Sequence, residues 1–292
     1  MNSDGFAKLP PMVDADPPER LGERLLRAGK LTAADLSRIA EHQRQHGVRF
    51  GDAAKALGLL DDSALDTALA EQFGYPWTPG SGPVDPLLYA LRQPFGEHAE
   101  ALRALRLRLH MAGVGRPDVY PAFAVLSPQD GDGRSTLAAN LAVSFAELGL
   151  RTLLVDADLR RPHQHALFGA GAGDGLSSLL AGRSDSPFIS PVPGFAGLAV
   201  LPSGPVPPNT TELLARPALP AFLAQAQQQF DLVILDTPPA GPASDAFYAA
   251  TAAGAALIVA RRNRTALRDL QALSGTLTAT GVPVLGVVFN QA

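Results

Sequence analysis

Gly131 and Gly133 lie in the segment Ser127-Pro-Gln-Asp-Gly-Asp-Gly-Arg-Ser-Thr136, between an apolar run and an amphipathic one. The run before it, Ala122-Phe-Ala-Val-Leu126, is short and continuous, as expected of a strand buried on both faces, and residues 137–148 carry helical periodicity. Strand, glycine-rich turn and helix in that order make an anion site. Glycine lets the backbone turn so that successive N–H groups converge, and the helix N-terminus adds the positive end of its dipole. The segment approaches the nucleotide-binding pattern G-x-x-x-x-G-K-[ST]. Gly131, Asp132, Gly133 and Arg134 would cradle phosphate, and Ser135 or Thr136 would offer a hydroxyl to Mg2+. Pro128 replaces the first glycine of the pattern, and Arg134 replaces its lysine, exchanging a compact point charge for a larger planar fork.

Further along, Thr152-Leu-Leu-Val-Asp156-Ala-Asp158-Leu-Arg-Arg-Pro162 reads as a second strand ending in two carboxylates. Ligands of open parallel sheets gather at the carboxyl ends of strands, so Asp156 and Asp158 are expected to face the glycine turn. Phe230-Asp-Leu-Val-Ile-Leu-Asp236-Thr-Pro-Pro239 is another apolar strand closing on a carboxylate, the Walker B arrangement in which the acid holds Mg2+ through water. Residues 255–260 and 284–289 complete the strands, with a helix expected over 265–279 between them. Strands alternating with helices predict an α/β fold, a doubly wound parallel sheet of the P-loop NTPase kind, over residues 96–292.

The N-terminal part is built differently. Residues 1–19, rich in Pro and Asp, are expected to be a disordered leader. Over residues 20–74 a pattern repeats with a period of 29. Arg20 matches Arg49, Gly22 matches Gly51, Gly29 matches Gly58, Leu36 matches Leu65 and Gln43 matches Gln72. A fixed period signals a duplicated supersecondary unit. Each copy predicts a short helix stopped by Gly29 or Gly58 and then a second helix, started by Thr32 with Asp35 in one copy and by Asp61 or Asp62 in the other. The result is a small all-α domain. Residues 75–95 read as a Pro- and Gly-rich linker. A helix from Glu97 to Met111 then carries Glu100, Arg103 and Arg106 along one stripe.

Composition bounds the partners. The net charge of −4 among 292 residues gives no reason to expect nucleic acid, and zero cysteines exclude a disulfide scaffold and thiolate metal sites. The first residues lack a basic segment followed by an apolar one, and the longest apolar runs fall short of the ~20 residues that cross a bilayer. The expectation is a cytoplasmic protein that reaches a membrane only through a partner.

The repeat pattern R-L-G-x-x-L-L-x-x-G resembles the N-terminal domain of type II secretion and pilus-assembly ATPases, whose tandem motifs in some members bind cyclic di-GMP. That resemblance implies Arg20, Gly22, Gly29, Gln43, Arg49, Gly51, Gly58 and Gln72 as candidate ligand contacts. The second copy departs from it, with Ala54-Lys55 where the first has Leu25-Leu26. The other reading is a helical docking module. Residues 96–292 resemble the bacterial tyrosine autokinase (BY-kinase) family, and the repeat in front is similar to the exopolysaccharide-operon subgroup. The likeness rests on the glycine turn, Asp156-Ala-Asp-Leu-Arg-Arg-Pro162, Pro202-Ser-Gly-Pro-Val-Pro-Pro-Asn209 and Asp236-Thr-Pro-Pro239, in that order.

The family resemblance implies ATP and Mg2+ as cofactors. It implies Ser135 and Asp236 on the metal, with Asp156 and Asp158 managing the metal and an attacking tyrosine hydroxyl. Arg134 would stand in the lysine's place and Asn290 near the adenine. Glu100, Arg103 and Arg106 match the family's oligomerisation motif, which implies a homo-oligomer, and a membrane polysaccharide copolymerase or chain-length determinant is the implied partner. The family's C-terminal tyrosine cluster is not matched; the tyrosines are Tyr75, Tyr89, Tyr120 and Tyr248. Three functions compete: an active kinase, a catalytically weak nucleotide-binding module that reports cyclic di-GMP, and a positioning ATPase of the MinD/ParA type. The last would want a lysine where Gln129 stands.

Overall fold

A computed structural model of the chain describes residues 21–61, 64–65, 67–69, 85–171, 173–184, 188–195, 197–241 and 245–291. The chain divides into two compact units, Met1–Tyr75 and Pro76–Ala292. The expected leader, 1–19, and residues 75–84 of the expected linker lie outside the described residues; the rest of that linker is folded instead, with a helix over Tyr89–Arg92 and with Leu88 and Ala90 buried in the core of the second unit, where the Ala90 N–H donates to Asn140 Oδ1.

In the first unit, helices span Leu21–Arg27, Ala33–His46 and Phe50–Ala56. Gly29 and Gly58 end the first helix of each copy in the left-handed region, at φ 68° and 65°, where a residue without Cβ is at ease. Thr32 and Asp35 form the expected capping box, and Asp61 Oδ1 accepts from the Ala64 N–H at 2.7 Å. The paired glycines Gly22 and Gly51 have a packing role. A Cβ on Gly22 would come within 3.0 Å of Leu36 Cδ2, and one on Gly51 within 2.7 Å of Leu65 Cδ2. In each copy, then, the first helix lies directly on the leucine of the second. Leu25, Leu31, Ile39, Ala53, Leu60 and Leu65 form the core beneath. Of the residues implied as cyclic di-GMP contacts, Arg20 and Gln72 lie outside the described residues, Arg49 is the N-cap of Phe50–Ala56, and Gln43 Nε2 donates to the Val48 carbonyl at 3.2 Å.

The second unit is organised on seven strands: β1 Ala122–Leu126, β2 Thr152–Asp156, β3 Ser190–Pro191, β4 Leu198–Leu201, β5 Leu232–Asp236, β6 Ala256–Arg261 and β7 Val284–Asn290. They lie in the order β3-β4-β2-β5-β1-β6-β7, parallel except for the β3–β4 pair. Alternate residues of the central strands feed two cores. Phe123 and Val125 of β1 pack with Ala138, Leu141 and Phe145 of helix Arg134–Glu147 on one face. Ala124 and Leu126 pack with Leu219, Phe222 and Ala249 on the other. Both faces are covered by helices, which is why these strands read as continuous apolar runs.

Two boundaries differ from the sequence reading. The helix expected from residue 137 starts at Arg134, because Gly133 at φ 92° serves as its N-cap and Arg134-Ser135-Thr136 form the first turn. The helix expected from residue 265 starts at Leu267, because Thr265 Oγ1 accepts from the Arg261 N–H and donates to Asp132. Between β4 and β5 run two helices, Thr210–Leu214 and Ala218–Ala226, parted at Pro217. Among the described residues no helix is long and apolar enough to cross a membrane.

Candidate functional site

The turn after β1 is built as the glycines predict. Gly131 and Gly133 have φ of 77° and 92°. A Cβ on Gly133 would fall 2.0 Å from Asn290 Nδ2, so space as well as conformation requires glycine there. Asp132 does not face outward with its neighbours. It is buried and braces the turn from within: Oδ2 accepts from the Gln129 N–H at 3.1 Å and Oδ1 from Thr265 Oγ1 at 2.9 Å. Asn290, at the end of β7, donates from Nδ2 to the Asp132 carbonyl at 3.1 Å, and Arg261 Nη1 donates to the Gly131 carbonyl at 3.2 Å.

The sheet brings the carboxylates to the turn. The β2–β5 register sets Asp156 directly opposite Asp236, and the β1–β5 register sets Asp236 beside Val125, the penultimate residue of β1. Asp156 Oδ2 accepts from the His163 and Gln164 N–H groups, both at 2.9 Å. Asp158 Oδ1 accepts from the N–H groups of Arg160 and Arg161 at 3.2 and 2.9 Å. Gln164, fully buried, donates from Nε2 to Asp236 Oδ2 at 2.7 Å and to the Ser135 carbonyl at 3.1 Å, tying β5 to the first turn of the helix.

Arg134 is turned into this group rather than away from it. Its side chain is 5% exposed. Nη1 donates to Ser127 Oγ at 2.6 Å, Nη2 lies 3.5 Å from Asp158 Oδ2, and Nε lies 3.7 Å from Asp236 Oδ1. Burial, reinforced by the charge on Asp236, pushes the Asp156 carboxyl well above the usual carboxylate range. Burial also raises Asp236 and Asp158, more than the Arg134 charge and their hydrogen bonds lower them. An incoming cation would reverse those shifts by favouring the ionised form.

The chemistry of the donors fits Mg2+ and a nucleotide. Asp156 Oδ1 and Asp236 Oδ1 are buried without a hydrogen-bond partner among the described residues. Two such oxygens suit an ion which takes one or two carboxylates and completes its octahedron from phosphate and water.

Of the implied interface residues, Glu100 is exposed, whereas both arginines are engaged within the unit. Arg103 pairs with Glu100 and donates to the Pro94 carbonyl. Arg106 Nη1 donates to the Ser144 carbonyl at 2.5 Å and lies 3.6 Å from Glu147, where a cation complements the C-terminal end of helix Arg134–Glu147.

Two supports escaped the sequence reading. One is Gln164, eight residues beyond Asp156 in no motif. The other is Asp245, fully buried, which accepts from Arg160 Nε at 2.7 Å, from Thr210 Oγ1 at 2.9 Å and from Thr211 Oγ1. It anchors the loop that leaves Asp158. The only sequence signal was an acid in the first turn of a helix.

A parallel sheet with the phosphate-type turn after β1 and paired acids at the ends of β2 and β5 defines a P-loop NTPase. A family model described as ParA, NUBPL iron-transfer P-loop NTPase, matches residues 118–292. The kinase domain of Escherichia coli tyrosine kinase ETK superposes with a TM-score of 0.67 at 32% identity, covering 72% of this chain and 82% of that one. Through this domain the chain belongs to the BY-kinase family. Tyrosine-protein kinase wzc of Salmonella typhimurium is 33% identical over 203 residues, 70% of this chain and 28% of the Salmonella protein. Putative tyrosine-protein kinase EpsB of Ralstonia solanacearum is 37% identical over 204 residues, 70% of this chain and 27% of its own length. The chain therefore spans less than a third of these curated relatives.

Proposed function

We propose that the protein is an ATP-binding subunit of the tyrosine-kinase family that acts in the cytoplasm with a membrane chain-length determinant to regulate exopolysaccharide polymerisation and export. The observation that carries this reading is the pairing of Asp156 and Asp236 at the mouth of the glycine turn, each with a buried oxygen left unpartnered. The N–H groups of the turn and of the helix that begins at Arg134 would bind phosphate, and Ser135 and Asp236 would hold Mg2+. Bound Mg2+ would neutralise phosphate charge during phosphoryl transfer. Asp156 and Asp158 would position a tyrosine hydroxyl and take its proton.

The test is phosphotyrosine formation by the purified full chain with Mg·ATP. Asp156→Ala and Asp236→Ala should each lower it by about two orders of magnitude. No phosphotyrosine with intact nucleotide binding would leave the second reading, a nucleotide-bound regulatory subunit. That reading is favoured by the position of Arg134 against the carboxylates. For the N-terminal unit, the packing roles of Gly22 and Gly51 favour a helical docking module over a cyclic di-GMP receptor.

A further inference from the structure

The position of Arg134 has a consequence for the metal. In the phosphate-binding pattern the basic residue serves phosphate, yet here the guanidinium lies within ion-pair distance of Asp158 and Asp236, with the orphaned oxygen of Asp156 in the same buried group. Asp158 and Asp236 have no other cation within salt-bridge distance among the described residues, and Asp156 has none there. The fit is by charge and not by geometry. Arg134 Nε and Asp236 Oδ1 face each other at 3.7 Å, and neither has a hydrogen-bond partner. A buried pair of this kind compensates charge without satisfying the donors and acceptors, so the attraction repays the desolvation of the two groups poorly.

We propose that Arg134 is a tethered counter-cation for Asp158 and Asp236, in the buried group they form with Asp156, holding the electrostatic place of the divalent ion until nucleotide phosphates draw it off. The inference rests on the nucleotide-binding reading above. In the nucleotide-free protein, Mg2+ would have to displace a positive charge that has nowhere else to go. When phosphate arrives, the guanidinium gains an anion, the carboxylates are released, and metal and nucleotide enter together.

The test reads stability and binding rather than turnover. The melting temperature of the full chain is measured with and without millimolar Mg2+, without nucleotide, in the native protein, Arg134→Met and Arg134→Lys. The native protein should be indifferent to Mg2+. Arg134→Met leaves buried acids uncompensated and should melt roughly 10 °C lower, with much of the loss restored by Mg2+. A native protein stabilised by Mg2+ as strongly as the variant, or a variant as stable as the native protein, would overturn the proposal.

If Arg134→Met does not fold, Arg134→Lys decides by ADP calorimetry in Mg2+ and in chelator. Removing Mg2+ should weaken ADP binding about tenfold more in Arg134→Lys than in the native protein, since a compact ammonium shields the acids less well. Equal metal dependence in the two would sink the idea. No heat with ADP under any condition would defeat the nucleotide reading itself, while the melting series still judges the counter-cation.

Discussion

Asp245 shows how much one side chain can hold in place without touching the glycine turn. It joins Arg160, which directly follows the Asp158 loop, to Thr210 and Thr211 at the start of another helix. Burial pushes its carboxyl up, but the hydrogen bonds from Arg160, Thr211 and Thr210 together outweigh this and hold it below the usual value. A carboxylate lowered in the fold contributes stability that is complete above its unfolded pKa, about 3.9, and is lost as pH falls through the lower folded value. Asp245→Asn should therefore cost about 2 kcal/mol near neutral pH and flatten the loss of stability below about pH 4, as read by urea unfolding across that range. This residue was invisible in the sequence because its partners lie 85 and 35 positions away. Asp156 and Asp236 were legible, since each closes an apolar run. The direction of Arg134 was not, because it depends on which strands lie beside β1.

In the described part of the N-terminal unit, the helix stops at Gly29 and Gly58 and the helix starts after Thr32 and Asp61 are legible in the sequence. Gly29 and Gly58, Thr32 with Asp35, and Asp61 all act within a few residues of themselves, and local rules are readable locally. Two substitutions test whether these devices stabilise the unit. Gly58→Ala forces a Cβ into φ 65° and Thr32→Ala removes the cap from Ala33–His46, each at about 1 kcal/mol. Amide exchange should quicken over residues 21–61 in both variants while residues 122–290 keep their native protection. Equal loosening of both regions would refute it. Apolar periodicity alone starts the helix at residue 137, three residues after Arg134, because its first turn is polar and belongs to the site. The stripe of Glu100, Arg103 and Arg106 had the spacing of an exposed face. Helix packing instead turned Arg106 onto Ser144 and Glu147.

At the scale of the whole molecule, the described residues hydrogen-bonded to the glycine turn belong to Pro76–Ala292, and the helical repeat forms its own core. A chain of residues 76–292 should hence bind ADP with an affinity within about twofold of the full protein, measured by calorimetry; a larger loss would mean that the first unit completes the site. The sequence by itself determined the alternation of strand and helix, the glycine turn and the acids at the strand ends. Each follows from periodicity, glycine placement and the chemistry of short segments. Only the tertiary structure decided that β5 lies between β1 and β2, so that Asp236 stands opposite Asp156, and that Arg134 spends its charge on Asp158 and Asp236. Strand order is set by how the crossover helices fill both faces of the sheet, and a buried charge takes whatever partner that packing brings within reach.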